Sequence, residues 1–500
     1  MSYGLRKLST RTKLVTAALA LAMAGVSHAQ TSTTLVGGGA TLPSIGYVGS
    51  AAANASTPQV FGSNVASGSL FGQSGVAISY CLTGSGAGKN ILAGITNENV
   101  QNACPTSTGT GGVTLGGFGA PAVMRTDLTQ PNFAGADAPL ATSDFANYLG
   151  GHSNDNPVEF PAVAGAVAIA FNLVDNTGAT VTSSEVNFSD AQLCSIFSGA
   201  VNTWNASSLA SAFTLPAGHS IPNMPINVQY RSDGSGTSFS FSNHLTTACN
   251  VTSSPLETSQ SFFPAPGTTG TPATYIVQNF FTYVNDPTDN DGLPNGNGST
   301  TGAKWTGSSG NPAVANAIAS TSNSIGYVET ANALATNPGL QFADVDSKSP
   351  VSNFGSALSL VSLSVSDNEA INAVNGTNGT PNNANGTPQI VALTNSVNPL
   401  PTGSHACIVL VKPTAYAVPG SSVVGDINPT GNYPIVAVSY LLGNSVGNGT
   451  DLTNTQTLVT SPYNTTIRPN VTTIGGTTGL QFLNPGTVFT TSQVSGCYGS

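Results

Sequence analysis

The stretch from Ile226 to Leu245 reads Ile-Asn-Val-Gln-Tyr-Arg-Ser-Asp-Gly-Ser-Gly-Thr-Ser-Phe-Ser-Phe-Ser-Asn-His-Leu. Residues Ile226 to Tyr230 have the composition of a short strand, Ser232 to Gly236 that of a turn, and Ser238 to Leu245 that of the beginning of a helix. A strand, a turn and a helix in succession indicate an α/β sheet, whose ligands bind at the turns after its strands. The sequence therefore predicts an α/β fold with a binding site at such turns.

Two other stretches agree with this fold class. Val158 to Leu173 is a nearly unbroken apolar run rich in β-forming residues, which predicts one buried strand, or two strands joined at Pro161. Ser189 to Phe197 begins with polar residues and continues with apolar residues at helical spacing, which predicts a capped helix.

The first 29 residues have the features of an export signal. Four basic residues precede an apolar run from Leu14 to about Val26, and Ser27-His28-Ala29 offers small residues for cleavage after Ala29. The run is too short to remain as a membrane span, and it is not followed by a Cys that would carry a lipid anchor. We expect a mature chain that is soluble and either periplasmic or secreted.

The mature chain is long and unusually poor in charge. About 470 residues remain after cleavage, which predicts two lobes rather than one core. Charged residues make up 6% of the sequence, against a typical ~25%. Without the four leader cations, seven Lys and Arg residues stand against 21 Asp and Glu residues, a formal net charge of −14. This charge argues against nucleic acid and anionic membranes as partners, and it means that local donors must hold any bound anion.

Six cysteines follow the leader, an even number that predicts disulfides in an exported chain. Six cysteines allow fifteen pairings, so the sequence leaves the connectivity open. The sequence has no CxxC spacing and its five His residues are scattered, so we expect no metal site and no cofactor. Pairing of nearest neighbours would give Cys81–Cys104, Cys194–Cys249 and Cys407–Cys497.

Two stretches have the composition of surface insertions. Asn285 to Gly298 is acidic and rich in turn residues, and a solvated loop is the first interpretation. Its three Asp residues leave a calcium loop as an alternative, although the EF-hand spacing and the terminal Glu are absent. Asn375 to Pro388 is a low-complexity stretch that cannot bury apolar surface.

Three short segments that precede Ile226 to Leu245 in the sequence carry groups suited to an anion, although each has a purely structural alternative. The first, Gly37 to Pro43, combines glycines that allow close backbone approach with the hydroxyl of Thr41. The second, Gly84 to Ile91, follows a strand-like stretch and would present backbone N–H groups at a helix start; its spacing is not that of a nucleotide-binding P-loop. The third, Ala134 to Leu140, places Asp137 among small residues, which is also typical of a turn.

The segment from Tyr230 to Ser238 is the most specific of the four. Arg231, one of three arginines after the leader, offers a planar fork of donors that fits a tetrahedral anion. Ser235 and Thr237 add hydroxyls, and Asp233 would pair with Arg231 and hold its orientation. A surface turn with a salt bridge is the structural alternative.

In this order, the four segments resemble the PstS-like phosphate-binding proteins of bacterial ABC transporters, including the related DING proteins. The resemblance covers roughly residues 33–250 well, and 320–335 and 430–445 in patches. The matching stretches are Gly39-Ala40-Thr41-Leu42-Pro43, Gly84-Ser85-Gly86-Ala87-Gly88, Ala136-Asp137-Ala138-Pro139-Leu140 and Arg231-Ser232-Asp233-Gly234-Ser235-Gly236-Thr237. Scaffold matches are Leu193 to Gly199 with Trp204-Asn205, Ser324 to Glu329, and Tyr433-Pro434-Ile435.

The resemblance implies a type II periplasmic-binding-protein fold: two α/β lobes joined by a two-stranded hinge, with the ligand cleft between them. It implies a signal peptide at 1–29, a first lobe at 30–165, a second lobe at 166–322 with an insertion near 250–310, and a return to the first lobe at 323–500 with long insertions. The implied phosphate ligands are Ala40, Thr41, Leu42, Ser85, Asp137, Arg231, Ser235, Gly236 and Thr237, with Asp233 as a supporting residue.

The resemblance also implies a selective role for Asp137. A carboxylate can only accept hydrogen bonds, so it favours the proton on hydrogen phosphate and disfavours fully ionised sulfate. The expected function is capture of inorganic phosphate by a monomeric binding protein for ABC-type uptake, with the permease as a partner. The chain departs from the family in Ala136, which replaces a frequent Ser, and in its long insertions, and these differences put docking to a transporter in doubt. The alternatives are a secreted binder of phosphate or another oxyanion outside transport, and a secreted phosphatase.

Overall fold

The apolar run predicted from Val158 to Leu173 forms one strand, β5, which spans Pro157–Asn172. Its residues are buried along nearly the whole length, which confirms the prediction of a strand inside a sheet. The alternative of two strands joined at Pro161 is wrong. Pro161 has no N–H to donate, and the strand absorbs it through a shift in register against the neighbouring strand β14 (Val436–Asn444) rather than through a break.

A computed structural model of the chain describes residues 34–49, 59–95, 118, 125, 128, 130–152, 155–197, 201–248, 304–354, 363–364, 367–372, 389–392, 407–420, 427–483 and 490–499. The other strands in these ranges are β1 Leu35–Gly39, β2 Gln59–Phe61, β3 Ile78–Cys81, β4 Phe133–Ala136, β6 Asn187–Phe188, β7 Asn227–Arg231, β8 Lys304–Ser308, β9 Ser324–Glu329, β10 Gln341–Val345, β11 Asn368–Asn372, β12 Gln389–Ala392, β13 Val409–Val411 and β15 Leu480–Phe482. The helices are α1 Ser44–Val48, α2 Leu70–Ser74, α3 Ser85–Leu92, α4 Thr142–Gly151, α5 Asp190–Phe197, α6 Gly236–Ala248, α7 Asn311–Ser320, α8 Thr330–Thr336, α9 Leu452–Thr460 and α10 Thr491–Ser495.

One large sheet runs through the molecule in the order β2-β3-β1-β4-β14-β5-β9-β7-β8. Strand β5 belongs to both halves of this sheet. Up to Ala166 it pairs with β14, and from Val167 onward it pairs with β9. We call the β2-to-β14 half the first lobe and the β9-to-β8 half, with β6 and β10, the second lobe. In the first lobe β1 is parallel to β3 and β4, and in the second lobe β7 is parallel to β8 and β9.

Two adjacent strands cross from one lobe to the other. Strand β5 crosses between Ala166 and Val167, and the segment entering β14 crosses between Ile435 and Val436. The N–H of Val167 donates to the carbonyl of Ile435 at 3.0 Å, and Val436 pairs with Ala166. Strand β9 pairs with the second-lobe half of β5, so by strand pairing the return to the first lobe lies later than residue 323.

Each lobe packs a small aromatic cluster against its part of the sheet. These rings stack or meet edge to face at centroid distances of 4.7–6.4 Å, a geometry that stabilises aromatic pairs. The clusters anchor the strands whose ends carry the predicted binding segments. Their members are Tyr47, Phe71, Tyr80 and Phe133 in the first lobe and Phe197, Phe241 and Tyr327 in the second.

The segment Cys407–Gly420, which we call the clasp, contacts both lobes. On the first lobe, the N–H of Glu159 in β5 donates to the carbonyl of Cys407 at 2.9 Å. On the second lobe, Asn243 of α6 donates to the carbonyl of Pro413 at 2.7 Å. Its strand β13 also joins β11 and β12 in a small separate sheet.

The structure contains the predicted disulfide Cys407–Cys497, which attaches the clasp to the end of the chain. Cys81 and Cys194 are also disulfide-bonded, and their predicted partners, Cys104 and Cys249, lie outside the described residues. The predicted leader, the stretch 285–298 and the stretch 375–388 lie outside them as well. In the part of the chain that the structure describes, no helix is both long enough and apolar enough to cross a bilayer.

Candidate functional site

The four predicted segments lie at the carboxyl ends of strands from both lobes. Thr41 follows β1, Ser85 begins α3 just after β3, and Asp137 follows β4. Arg231 ends β7 and is followed by the turn into α6. The carboxyl ends of parallel strands meet along one edge of a sheet, so topology alone brings each lobe's segments together. All four side chains are buried, with at most 2% of their surface exposed.

The turn after β1 depends on its glycines. Gly39 has φ +123°, a conformation that disfavours side chains, and a β-carbon there would lie 2.2 Å from the carbonyl oxygen of Gly135. This close approach allows the N–H of Ala40 to donate to that same carbonyl at 2.8 Å. The amide of Ala40 is thereby engaged in the sheet, while Thr41 turns its hydroxyl towards the second lobe, where it contacts Asn311.

Ser85 and Asp137 form a reciprocal pair inside the first lobe. The Ser85 hydroxyl donates to Oδ2 of Asp137 at 3.2 Å and accepts the backbone N–H of Asp137 at 3.0 Å. The Ser85 side chain is therefore engaged with the carboxylate, which it holds at the carboxyl end of β4. Among the residues that the structure describes, Oδ1 of Asp137 has no hydrogen-bonding partner.

Burial makes Asp137 an unusual carboxyl group. Loss of hydration raises its pKa to about 7, against the opposing effects of the Ser439 and Ser85 hydroxyls, the Arg231 charge and the Leu42 amide. A buried carboxylate oxygen without a donor is costly, so the site favours a proton there, on Asp137 itself or on a ligand.

Arg231 is held by a bidentate ion pair with Asp233. Its Nε donates to Oδ1 of Asp233 at 2.6 Å and its Nη2 donates to Oδ2. Oδ1 of Asp233 also accepts the N–H of Gly310 at 3.0 Å, which fixes the carboxylate in turn. Nη1 of Arg231 donates to the hydroxyl of Thr237 at 3.4 Å. A guanidinium has five N–H donors, so Nη1 and Nη2 each keep one for another acceptor.

Helix α6 begins at the same place. The Ser235 hydroxyl accepts the N–H of Ser238 at 3.1 Å, so this side chain caps the helix. The first-turn N–H groups of Gly236 and Thr237 have no acceptor within the helix, as at every helix start. Of the residues predicted in the second lobe, Ser235 therefore caps α6. Arg231, Thr237 and the amide of Gly236 are donors that face the first lobe.

The two lobes touch directly around the site. The N–H of Gly86 in α3 donates to the carbonyl of Gly234 at 3.0 Å. A β-carbon on Gly236 would lie 2.3 Å from Cβ of Asp137, so the start of α6 lies against the first-lobe carboxyl. The described conformation is closed, and the contact with Asp137 requires glycine at position 236.

Three residues that were not predicted from the sequence also contact these groups. Asn311 begins α7 and donates to the hydroxyls of both Thr41 and Thr237 at 3.1 Å. The Tyr327 hydroxyl accepts the N–H of Arg231 at 3.1 Å, and Ser439 faces Asp137 from β14. The sequence Gly310-Asn311-Pro312 before an apolar helix was the available signal for Asn311, because it marks a strand-to-helix turn like the other four.

The assembled groups combine several donors with one acceptor. Arg231, Thr41, Thr237 and the start of α6 offer protons, while Asp137 offers a carboxylate oxygen. Such a set suits an oxyanion that carries one proton of its own. In the described part of the chain, no group of three His, Cys, Asp or Glu side chains could hold a metal ion.

The family model described as PBP superfamily domain matches residues 28–388. The chain belongs to the PBP superfamily. A relative from Pseudomonas aeruginosa, named alkaline phosphatase L, is 26% identical to this chain over 350 residues, which cover 69% of each chain. The Mycobacterium leprae phosphate-binding protein PstS 3 is 29% identical over 168 residues, which cover 34% of this chain and 42% of the relative.

The solved structure of a phosphate-binding protein from Stenotrophomonas maltophilia aligns with 91% of this chain and 91% of its own, at 22% identity and a TM-score of 0.49. The family match and the PstS relative in sequence confirm the similarity to PstS proteins that the motifs predicted. Its sequence relatives include named phosphate-binding proteins and one protein named as a phosphatase.

Proposed function

We propose that this protein captures inorganic phosphate between its lobes. The observation that carries the proposal is the placement of Asp137: a buried carboxyl with one oxygen lacking a partner among the described residues, closed against the donors of α6. Hydrogen phosphate supplies acceptor oxygens for the donors and one proton for Asp137. Sulfate supplies only acceptors, so at pH 8, above the pKa of Asp137, an oxygen of sulfate and an oxygen of the carboxylate would face each other without a proton between them.

The predicted ligand set is part of this proposal. Thr41, Arg231, Thr237 and the amide of Gly236 would bind phosphate oxygens directly, and Asp137 would accept the phosphate proton. Ser85 would act through Asp137, Ser235 through the helix cap and Asp233 through Arg231, as their hydrogen bonds indicate. Ala40 and Leu42 would contribute the backbone of the turn after β1.

Calorimetry with phosphate and sulfate at pH 8 tests the proposal. We expect tight phosphate binding and sulfate binding at least a hundredfold weaker. Asp137→Asn should narrow that ratio, because an amide can donate to an unprotonated oxygen. Asp175→Asn, which removes the same charge from a turn outside the cleft, should leave the ratio unchanged. Equal affinities for the two anions in the wild type would refute phosphate selection.

We further propose that the protein is exported and serves ABC-type phosphate uptake as a monomer. The leader-like N-terminus and the PstS relatives support this role, and the long insertions leave a function outside transport as the alternative. Co-purification with the permease subunits of the same organism, in phosphate-loaded and phosphate-free states, would distinguish the two. Binding to the permease only when phosphate is present is the result expected for uptake.

Phosphate-ester hydrolysis is the second candidate, because one relative carries the name alkaline phosphatase L. An assay with p-nitrophenyl phosphate at pH 7 to 10 separates catalysis from capture. We expect no turnover above the buffer rate, and release of inorganic phosphate that disappears in Arg231→Ala would support an enzyme instead.

A further inference from the structure

Asn311 lies between the two lobes, in contact with hydroxyls from both. It is fully buried at the start of α7. Its Nδ2 donates to Oγ1 of Thr41 in the first lobe and to Oγ1 of Thr237 in the second lobe, both at 3.1 Å. Its Oδ1 accepts the backbone N–H of Glu329 at 3.1 Å.

The contact with Glu329 settles which way the Asn311 amide points. A backbone N–H can only donate, so the carbonyl oxygen of the side chain must face it. The NH₂ group then faces the two threonines and has one proton for each. Asn311 can therefore serve both hydroxyls only as a donor.

This arrangement determines what the two hydroxyls can do. A hydroxyl that accepts a hydrogen bond still has one proton to donate. Thr237 accepts twice, from Asn311 and from Nη1 of Arg231. Among the described residues, neither Thr41 nor Thr237 directs its side-chain proton to a protein acceptor. Both buried hydroxyls thus have a proton available for a ligand.

We propose that Asn311 is a positioning residue of the anion site. By occupying the oxygens of Thr41 and Thr237, it holds both hydroxyls as donors towards the oxygens of the bound anion, one from each lobe. Since the two threonines belong to different lobes, the amide makes both contacts only when the cleft is closed. This inference rests on the proposed phosphate binding and names a residue through which that binding is organised.

A double-mutant cycle tests the inference. Asn311→Ala should weaken phosphate binding at least tenfold by calorimetry at pH 8, because the freed hydroxyls can rotate towards other acceptors. In the Thr41→Val/Thr237→Val background, the same change should alter the affinity by less than threefold. Asn311→Asp should lower the phosphate affinity further than Asn311→Ala, since a carboxylate accepts from both hydroxyls and reverses the two hydrogen bonds.

The control is Asn337→Ala, which removes a carboxamide bonded to Asn316 at the surface and should keep wild-type affinity. Circular dichroism and melting temperature show whether each variant is folded. If Asn311→Ala does not fold, the phosphate affinities of Asn311→Asp and Asn311→Ser are measured in the same double-mutant cycle instead. Equal losses in the two backgrounds, or wild-type affinity in Asn311→Ala, would overturn the positioning role alone. A wild-type protein that does not bind phosphate would overturn the proposed function, and the inference with it.

Discussion

A fully buried carboxylate needs a proton or a donor for each oxygen, and Asp137 has a partner for only one of them among the described residues. The closed cleft therefore holds a group whose charge depends on what occupies the site. When the cleft is empty, burial raises the pKa of Asp137 to about 7. When hydrogen phosphate enters, its proton can satisfy Oδ1, and Asp137 can stay ionised.

The raised pKa of Asp137 predicts a pH-dependent stability for the phosphate-free protein. The unfolded chain releases this proton near its ordinary value of 3.8, and the folded protein releases it near 7. Between these values only the folded state holds the proton, so stability falls as pH rises through the window. At ~1.4 kcal/mol per pKa unit, Asp137 should contribute about 2–3 kcal/mol to the loss of unfolding free energy that urea unfolding measures from pH 5 to pH 7.

Asp137→Asn should flatten this loss, because the amide does not titrate. Part of the dependence of the unfolding free energy on pH should remain in this variant, since burial also raises the pKa of Glu329, to about 8. An identical slope in the wild type and in Asp137→Asn would contradict the assignment to this residue.

At the same scale, Asn311 shows where sequence reasoning stops. Arg231 and Asp137 were predictable because charged residues are rare in this chain and stand in turns after strands. Asn311 follows strand β8, which lies beyond a stretch of more than fifty residues after α6. The local turn signal Gly310-Asn311-Pro312 does not connect Asn311 with the other segments, because its role arises from contacts with Thr41 and Thr237, which are distant in sequence.

At the scale of elements, the start of α6 is one of the parts of the second lobe that meet the first, and it does so at Asp137. The predicted succession of strand, turn and helix is confirmed: β7 spans Asn227–Arg231 and α6 spans Gly236–Ala248. Local patterns sufficed here because alternation, turn residues and a Ser cap all act within a few residues. The patterns could not reveal that the first residue of the helix packs on Asp137, which is a contact between lobes.

Gly236→Ala should therefore affect binding more than folding. The new β-carbon would lie 2.3 Å from Cβ of Asp137, which blocks the closed approach of the lobes but can be relieved by opening them. We expect at least a tenfold loss of phosphate affinity by calorimetry, with little change in the melting temperature of the phosphate-free protein.

The matched control is Gly150→Ala in α4, where a β-carbon would meet no atom within 4 Å. It should keep wild-type affinity and raise stability by up to about 1 kcal/mol, from helix propensity. Wild-type affinity in Gly236→Ala would show that the cleft binds without this approach.

At the scale of the whole molecule, the clasp adds a third connection to the two crossing strands. It attaches to β5 in the first lobe and to α6 in the second. His244 of α6 is fully buried and has two acceptors: the carbonyl of Ala417 at 2.8 Å and Oδ1 of Asp190 at 3.0 Å. Burial opposes its charge, but Asp190 and the carbonyl outweigh this effect and raise the pKa of His244. The imidazolium can then donate to both.

His244→Ala should weaken the attachment of the clasp to the second lobe, because it removes the contact with Ala417 and leaves the one between Asn243 and Pro413. Removing a buried cation with two hydrogen bonds should cost about 2–3 kcal/mol in urea unfolding at pH 6, where the imidazolium is present. The difference in unfolding free energy between the wild type and His244→Ala should shrink as pH rises through the raised pKa of His244, because the neutral imidazole has one N–H donor instead of two. His219→Ala, which removes a half-exposed histidine paired with Asp175, should cost less than 1 kcal/mol. Equal costs for the two histidines would show that the clasp contact adds nothing.

This connection lay beyond sequence reasoning. Composition, leader and cysteine count predicted a two-lobed exported chain, and one apolar run predicted β5. The contact between His244 and Ala417 joins residues 173 positions apart. Neither residue belongs to a pattern, so only the assembled molecule brings them together.

The disulfide Cys407–Cys497 has a consequence for the response of the protein to a protease. It closes a loop of chain with a sequence separation of 90 residues, which includes β14, the central strand between β4 and β5. A protease that cuts once between these two cysteines leaves both fragments covalently joined, and β14 stays paired on both of its edges. Such a nicked protein would run as a single band on a non-reducing gel and as two on a reducing gel, and it would keep the sheet on which its cleft is built.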